Sequence, residues 1–153
     1  MESKLKFLEQ HLSASIAYRE DGMRAVISSP ASDITIWVEY IPEDDFTPYV
    51  MGWATQHVHV CDEEDVLEEI REIMSGQRCA LEFFSGGNRL FGGDIDTAEL
   101  ENLSYATLKA YAEDFCLGDL LRKADAFQLR GWNAEQNWNG IIEPDGTITM
   151  EKA

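Results

Sequence analysis

The stretch Asp62-Glu63-Glu64-Asp65-Val66-Leu67-Glu68-Glu69-Ile70-Arg71-Glu72-Ile73-Met74-Ser75-Gly76 decides how the chain is built. Val66, Leu67, Ile70, Ile73 and Met74 recur at spacings of three and four, which lines them up on one side of a helix. Asp62 carries the short acceptor side chain that caps a helix N-terminus, and the acidic turn after it suits the positive end of the helix dipole. Gly76 stands where a left-handed residue closes a helix. The spacing predicts a helix over residues 62–74, set between two runs of strand-like sequence.

Upstream, Leu5, Leu8 and Leu12 predict a short helix over residues 4–12. Residues 13–18 and 23–28 read as strands joined by Glu20-Asp21-Gly22, because glycine accepts the positive φ of a hairpin turn. Residues 34–41 form the clearest strand, with Ile34, Ile36, Val38 and Tyr40 on one face. Residues 49–61 read as one bent strand with an irregularity near Gly52. Downstream, residues 79–84 and 89–95 pair around Ser85-Gly86-Gly87-Asn88. Residues 97–111 fit helix or strand. Residues 115–129 read as a helix with Leu117, Leu120, Leu121, Ala124 and Phe127 inward. Ile141-Ile142 and residues 147–150 close the chain as a hairpin. Tight turns favour antiparallel pairing, and helices and strands come in runs. The class is α+β: a mainly antiparallel sheet of about five to seven strands packed with two or three helices, in a single domain over residues 1–153.

Charge narrows the functional classes. The 153 residues hold 29 acids and 12 bases, a formal net charge of -17. Contacts to nucleic-acid phosphates need Lys and Arg, so DNA and RNA are disfavoured as partners. An anionic membrane surface is disfavoured for the same reason. A hydrophobic share of 44% is too high for a disordered acidic tail. The N-terminus shows no apolar signal core, and Cys61, Cys79 and Cys116 are odd in number and scattered. A cytoplasmic location with free thiols is expected.

Several constellations could carry chemistry. His57, His59 and Cys61 alternate along a strand and so share a face; imidazole and thiolate both bind zinc. Alternate strand residues lie about 7 Å apart, too wide for one zinc to take all three, so His57 and His59 would need ligands from elsewhere. Asp94 and Asp96 could hold a hard cation or divide acid and base roles. Gly86, Gly87, Gly92 and Gly93 lack the order of a phosphate loop and fit a hairpin with a bulge. Cys79 and Cys116 fit buried structural roles. Trp132 and Trp138 fit packing at the end of the core. No motif demands catalysis, and no cofactor is expected.

The acids are unevenly placed. Residues 61–101 hold 12 acids and 3 bases, net -9 of the total -17. Glu64, Glu68, Glu69 and Glu72 stay off the apolar stripe of the 62–74 helix, with Arg71 as the only local base. Asp44 and Asp45 form a second patch. Complementary charge steers association and rejects wrong partners. The leading expectation is therefore a non-catalytic domain that docks a basic protein partner on these six residues. The alternative is a small metal-dependent enzyme or metal-binding protein using His57, His59, Asp94 and Asp96. A homodimer formed through a sheet edge is a further arrangement to test.

In size, acidity and helix–strands–helix–strands order, the chain is similar in outline to bacterial type III secretion chaperones, and in its acidic surface to immunity proteins that neutralise nuclease toxins. The similarity is one of outline, with no residue motif behind it, so no family residue is carried over. It implies an inhibitor, immunity or chaperone role.

Overall fold

The computed structural model describes residues 3–44, 46–53 and 56–153. The chain divides into two compact units, Met1–Ser75 and Gly76–Ala153, each with its own five-stranded antiparallel sheet. The class is α+β. Among the described residues no helix is long and apolar enough to cross a membrane.

In the first unit, helix α1 (Phe7–His11) precedes strands β1 (Ser15–Arg19), β2 (Arg24–Ser28), β3 (Thr35–Tyr40), β4 (Tyr49–Trp53) and β5 (Gln56–Val60), and helix α2 (Glu63–Met74) ends it. The five strands pair in simple sequential order, so β1 and β5 are the edges. The 4–12 helix is shorter than expected, although Leu5 and Leu8 are fully buried as its spacing requires. The β1–β2 turn sets three successive residues, Glu20 (φ 53), Asp21 (φ 56) and Gly22 (φ 83), in the left-handed region. Residues 49–61 are not one bent strand. They form the β4–β5 hairpin, registering Val50 with His59 and Gly52 with His57. Gly52 is no bend: the Trp37 ring and the Gln56 carbonyl close over it, each 2.5 Å from where a Cβ would stand. No Gly, Pro, Asn or Asp stands between Trp53 and Gln56 in the sequence, so no turn residue signals a break there.

Alternation decides which sheet face is buried. Ala25, Ile27, Ile36, Val38, Met51 and Trp53 lie on one face and are at most 4% exposed. On α2, Val66, Leu67, Ile70 and Ile73 are buried. Burying each such side chain contributes about 1.5–3 kcal/mol. The Asp62 carboxylate accepts from the Asp65 N–H at 2.8 Å, the cap that its position predicts. Gly76 adopts φ +84 just beyond the helix.

The second unit holds β6 (Arg78–Ser85), β7 (Asn88–Asp96), α3 (Tyr105–Asp114), α4 (Gly118–Leu121), β8 (Ala126–Arg130), β9 (Trp138–Ile142) and β10 (Ile148–Lys152). The sheet order is β10-β9-β8-β6-β7. Gly86 and Gly87 take positive φ in the β6–β7 turn, and a bulge lies at Phe83/Phe84. The ambiguous segment resolves as a 3-10 turn followed by α3, capped by Ser104.

Residues 115–129 do not form one helix. The helical part is the four-residue α4, after which Ala126–Arg130 becomes a central strand between β6 and β9. Phe127 and Leu129 point inward with period two, and this pairing overrides the helical spacing of Leu117, Leu120, Leu121 and Ala124. The core gathers Cys79, Leu81, Phe83, Phe91, Leu108, Leu121, Phe127 and Leu129. Phe83 stacks on Phe91 at 4.5 Å. The Phe127 ring occupies the space above Gly140, its register partner, so a Cβ there would overlap the ring.

Candidate functional site

Four carboxylates of α2 face one cleft. Asp65, Glu68, Glu69 and Glu72 are spaced i, i+3, i+4, i+7, which on a 3.6-residue helix puts them on one side. Their stripe is offset from the buried one, so the helix can bury one flank and present acid on the next. The facing wall is the edge strand β5 and its exit, through Val58, His59, Val60 and Cys61. The cleft encloses about 290 Å³ and its described lining contains no Lys or Arg. Val58 is 43% exposed, an apolar side chain uncovered on the sheet face that buries Met51 and Val38.

The expected α2 residues divide at this cleft. Glu68, Glu69 and Glu72 line it. Glu64 is exposed on the same helix but does not line it. Asp65 joins it in addition; the i, i+3, i+4, i+7 series in the sequence was the signal for it.

Asp44 sits in the β3–β4 loop. It accepts from the Thr47 N–H and hydroxyl, each at 3.0 Å, and from the Phe46 N–H at 3.3 Å. The Thr47 bonds, with smaller help from the Phe46 N–H and His59, hold its carboxyl below the usual aspartate value. Asp45 lies outside the described residues. At the foot of α2, the Tyr49 hydroxyl points toward Glu63 at 3.5 Å; burial, then the Glu63 charge, pushes this phenol up to about 12.

The metal-binding candidates fall into two places. His57 and His59 are exposed neighbours on β5, ring centroids 5.5 Å apart. Cys61 lies beyond the end of that strand. Asp94 is in the second unit on β7, ion-paired with Arg78, and Asp96 is exposed at the strand end. Among the described residues no group of three or more His, Cys, Asp or Glu is arranged to hold a metal ion.

Other sequence candidates are placed as follows. Cys79 is fully buried, and burial pushes its thiol up to about 12 despite a hydrogen bond with Thr97. Cys116, expected to be buried, is exposed with φ 60, because it leaves α3 at a left-handed position rather than continuing a helix. Trp132 is buried, and Trp138 is half-buried with the Lys152 ammonium 4.8 Å from its ring.

Comparison with protein-family models, with curated proteins and with solved structures finds no match for this chain.

Proposed function

We propose that the chain is a non-catalytic acidic binding domain that docks a basic protein partner at the β5–α2 cleft, in an inhibitor, immunity or secretion-chaperone-like role. One observation carries this reading: four carboxylates on one side of α2 face an open cleft whose described lining has no Lys or Arg. Arg71 belongs to the same helix but not to that lining. Such a surface attracts cationic groups and speeds their encounter. The wider surface agrees, since residues 1–75 hold 16 acids and 5 bases.

The test is to capture the partner from its native extract at low salt and measure the affinity of the purified pair by calorimetry. Charge reversal at Glu68 is expected to weaken binding about tenfold, a cost of ~1.4 kcal/mol. Unchanged affinity in a folded Glu68→Lys variant refutes the docking surface.

The metal-binding alternative retains the adjacent His57 and His59 rings. Stoichiometric metal in protein purified without chelator, lost in a His57→Ala, His59→Ala variant, would favour it.

A further inference from the structure

We propose that the basic partner enters as an extended segment that adds a sixth strand along the free edge of β5, with its Lys or Arg side chains directed at the carboxylates of α2. This rests on the docking reading above and specifies its mode.

Among the described residues the sheet order ends at β5, so one row of its main-chain N–H and C=O groups has no described strand beside it. His57, Val58 and His59 are all exposed along that row. An unpaired edge is a template for a further strand, and peptide segments use such edges through main-chain hydrogen bonds. Proteins blunt open edges with charge, bulges or cover. The edge strand β7 carries Arg89, Asp94 and Asp96 and is itself bulged, with Leu90 left without a register partner on β6. The edge strand β10 ends in Glu151-Lys152. The edge strand β1 ends in the exposed Arg19. By contrast, Gln56-His57-Val58-His59-Val60 contains no Lys, Arg, Asp, Glu or Pro.

Charge selects the occupant. A strand laid beside β5 would place alternate side chains on the face that holds Val58 and Val60, next to Asp65 and Glu68. Basic residues at those alternate positions are complementary. A second copy of this chain would instead bring its own acidic cleft against the first, and like charges across a pair destabilise it.

The test uses a capped synthetic peptide of about seven residues alternating Lys and Thr, enough to cover the edge at about 3.3 Å per residue. A second peptide of the same sequence has every backbone amide N-methylated, which keeps the charge and removes the donors. Three results are expected. Saturating peptide slows amide exchange within residues 56–60 by about tenfold or more. The methylated peptide binds about tenfold more weakly, and so does the unmodified peptide to Glu68→Lys. If binding depends on Glu68 but residues 56–60 keep their exchange rates and methylation has no effect, strand addition is overturned while charge docking stands. Failure of the unmodified peptide to bind also overturns strand addition, and leaves the partner calorimetry to judge the docking surface separately. Protection that appears without peptide and rises with protein concentration, together with a dimer in sedimentation, assigns the edge to a second copy and overturns the proposal.

Discussion

Burial sets the chemistry of single residues here more than charge does. The Cys79 thiol, raised by burial to about 12, is kept neutral and shielded, whereas Cys61 and Cys116 are exposed. A thiol reagent such as dithionitrobenzoate is expected to react quickly with two cysteines in the native protein and with a third only on unfolding. Three fast thiols in the native state would contradict the burial of Cys79. Tyr18, Tyr49 and Tyr111 are likewise raised from 10.0 to about 12, with burial the largest cause in each. All four groups bind their protons more tightly when folded. Their contribution to stability is therefore complete below the unfolded values, near pH 9 to 10, and is lost as pH rises toward 12. Chemical denaturation between pH 8 and 12 is expected to show stability falling steadily across that window; a flat profile would contradict it. Gly140→Ala is expected to cost about 1–3 kcal/mol, because the new methyl overlaps the Phe127 ring. At this scale the sequence was partly legible. Cys79 within an alternating strand read as a small core residue, but Cys116 did not read as exposed, since its left-handed backbone has no glycine to announce it.

Elements that carry their own stop signals were readable, and those that depend on distant pairing were not. Helix α2 has a cap at Asp62, an apolar stripe and a terminating Gly76, and it forms where these signals place it. Asp62→Ala is expected to cost about 1 kcal/mol in urea denaturation, through loss of the bond to the Asp65 N–H. The hairpins at Glu20–Gly22 and Gly86-Gly87 were equally plain, because positive φ needs particular residues. Residues 126–130 were not: a Leu/Ala/Phe series at helical spacing also fits a strand once β6 and β9 flank it. The β4–β5 hairpin was missed because no Gly, Pro, Asn or Asp stands between Trp53 and Gln56 to signal a turn. That miss bore on the site, since only the hairpin makes β5 an edge. On the helical wall, Glu68, Glu69 and Glu72 were legible as a surface, but which flank met a cleft required the strand opposite.

For the molecule as a whole, the charge is large and asymmetric. Residues 1–75 carry net -11 and residues 76–153 net -6, from 16 acids and 5 bases against 13 and 7. Self-repulsion of this kind destabilises the compact state and is screened by salt. Raising NaCl from ~20 to ~300 mM, which shortens the Debye length about fourfold, is expected to raise the melting temperature. A melting temperature that falls or stays constant would show that the acids are already compensated. The same salt series is expected to weaken partner binding, because its attraction is electrostatic. Stability and binding should thus respond to salt in opposite directions. The most direct measurement is calorimetry of the captured partner against wild type, Glu68→Lys and Glu64→Lys at low salt. Both variants change the net charge equally, but only Glu68 lines the cleft. A cleft-specific site predicts about tenfold weaker binding for Glu68→Lys and less than about twofold for Glu64→Lys. Equal losses in both, or no loss in either, would contradict docking at the β5–α2 cleft.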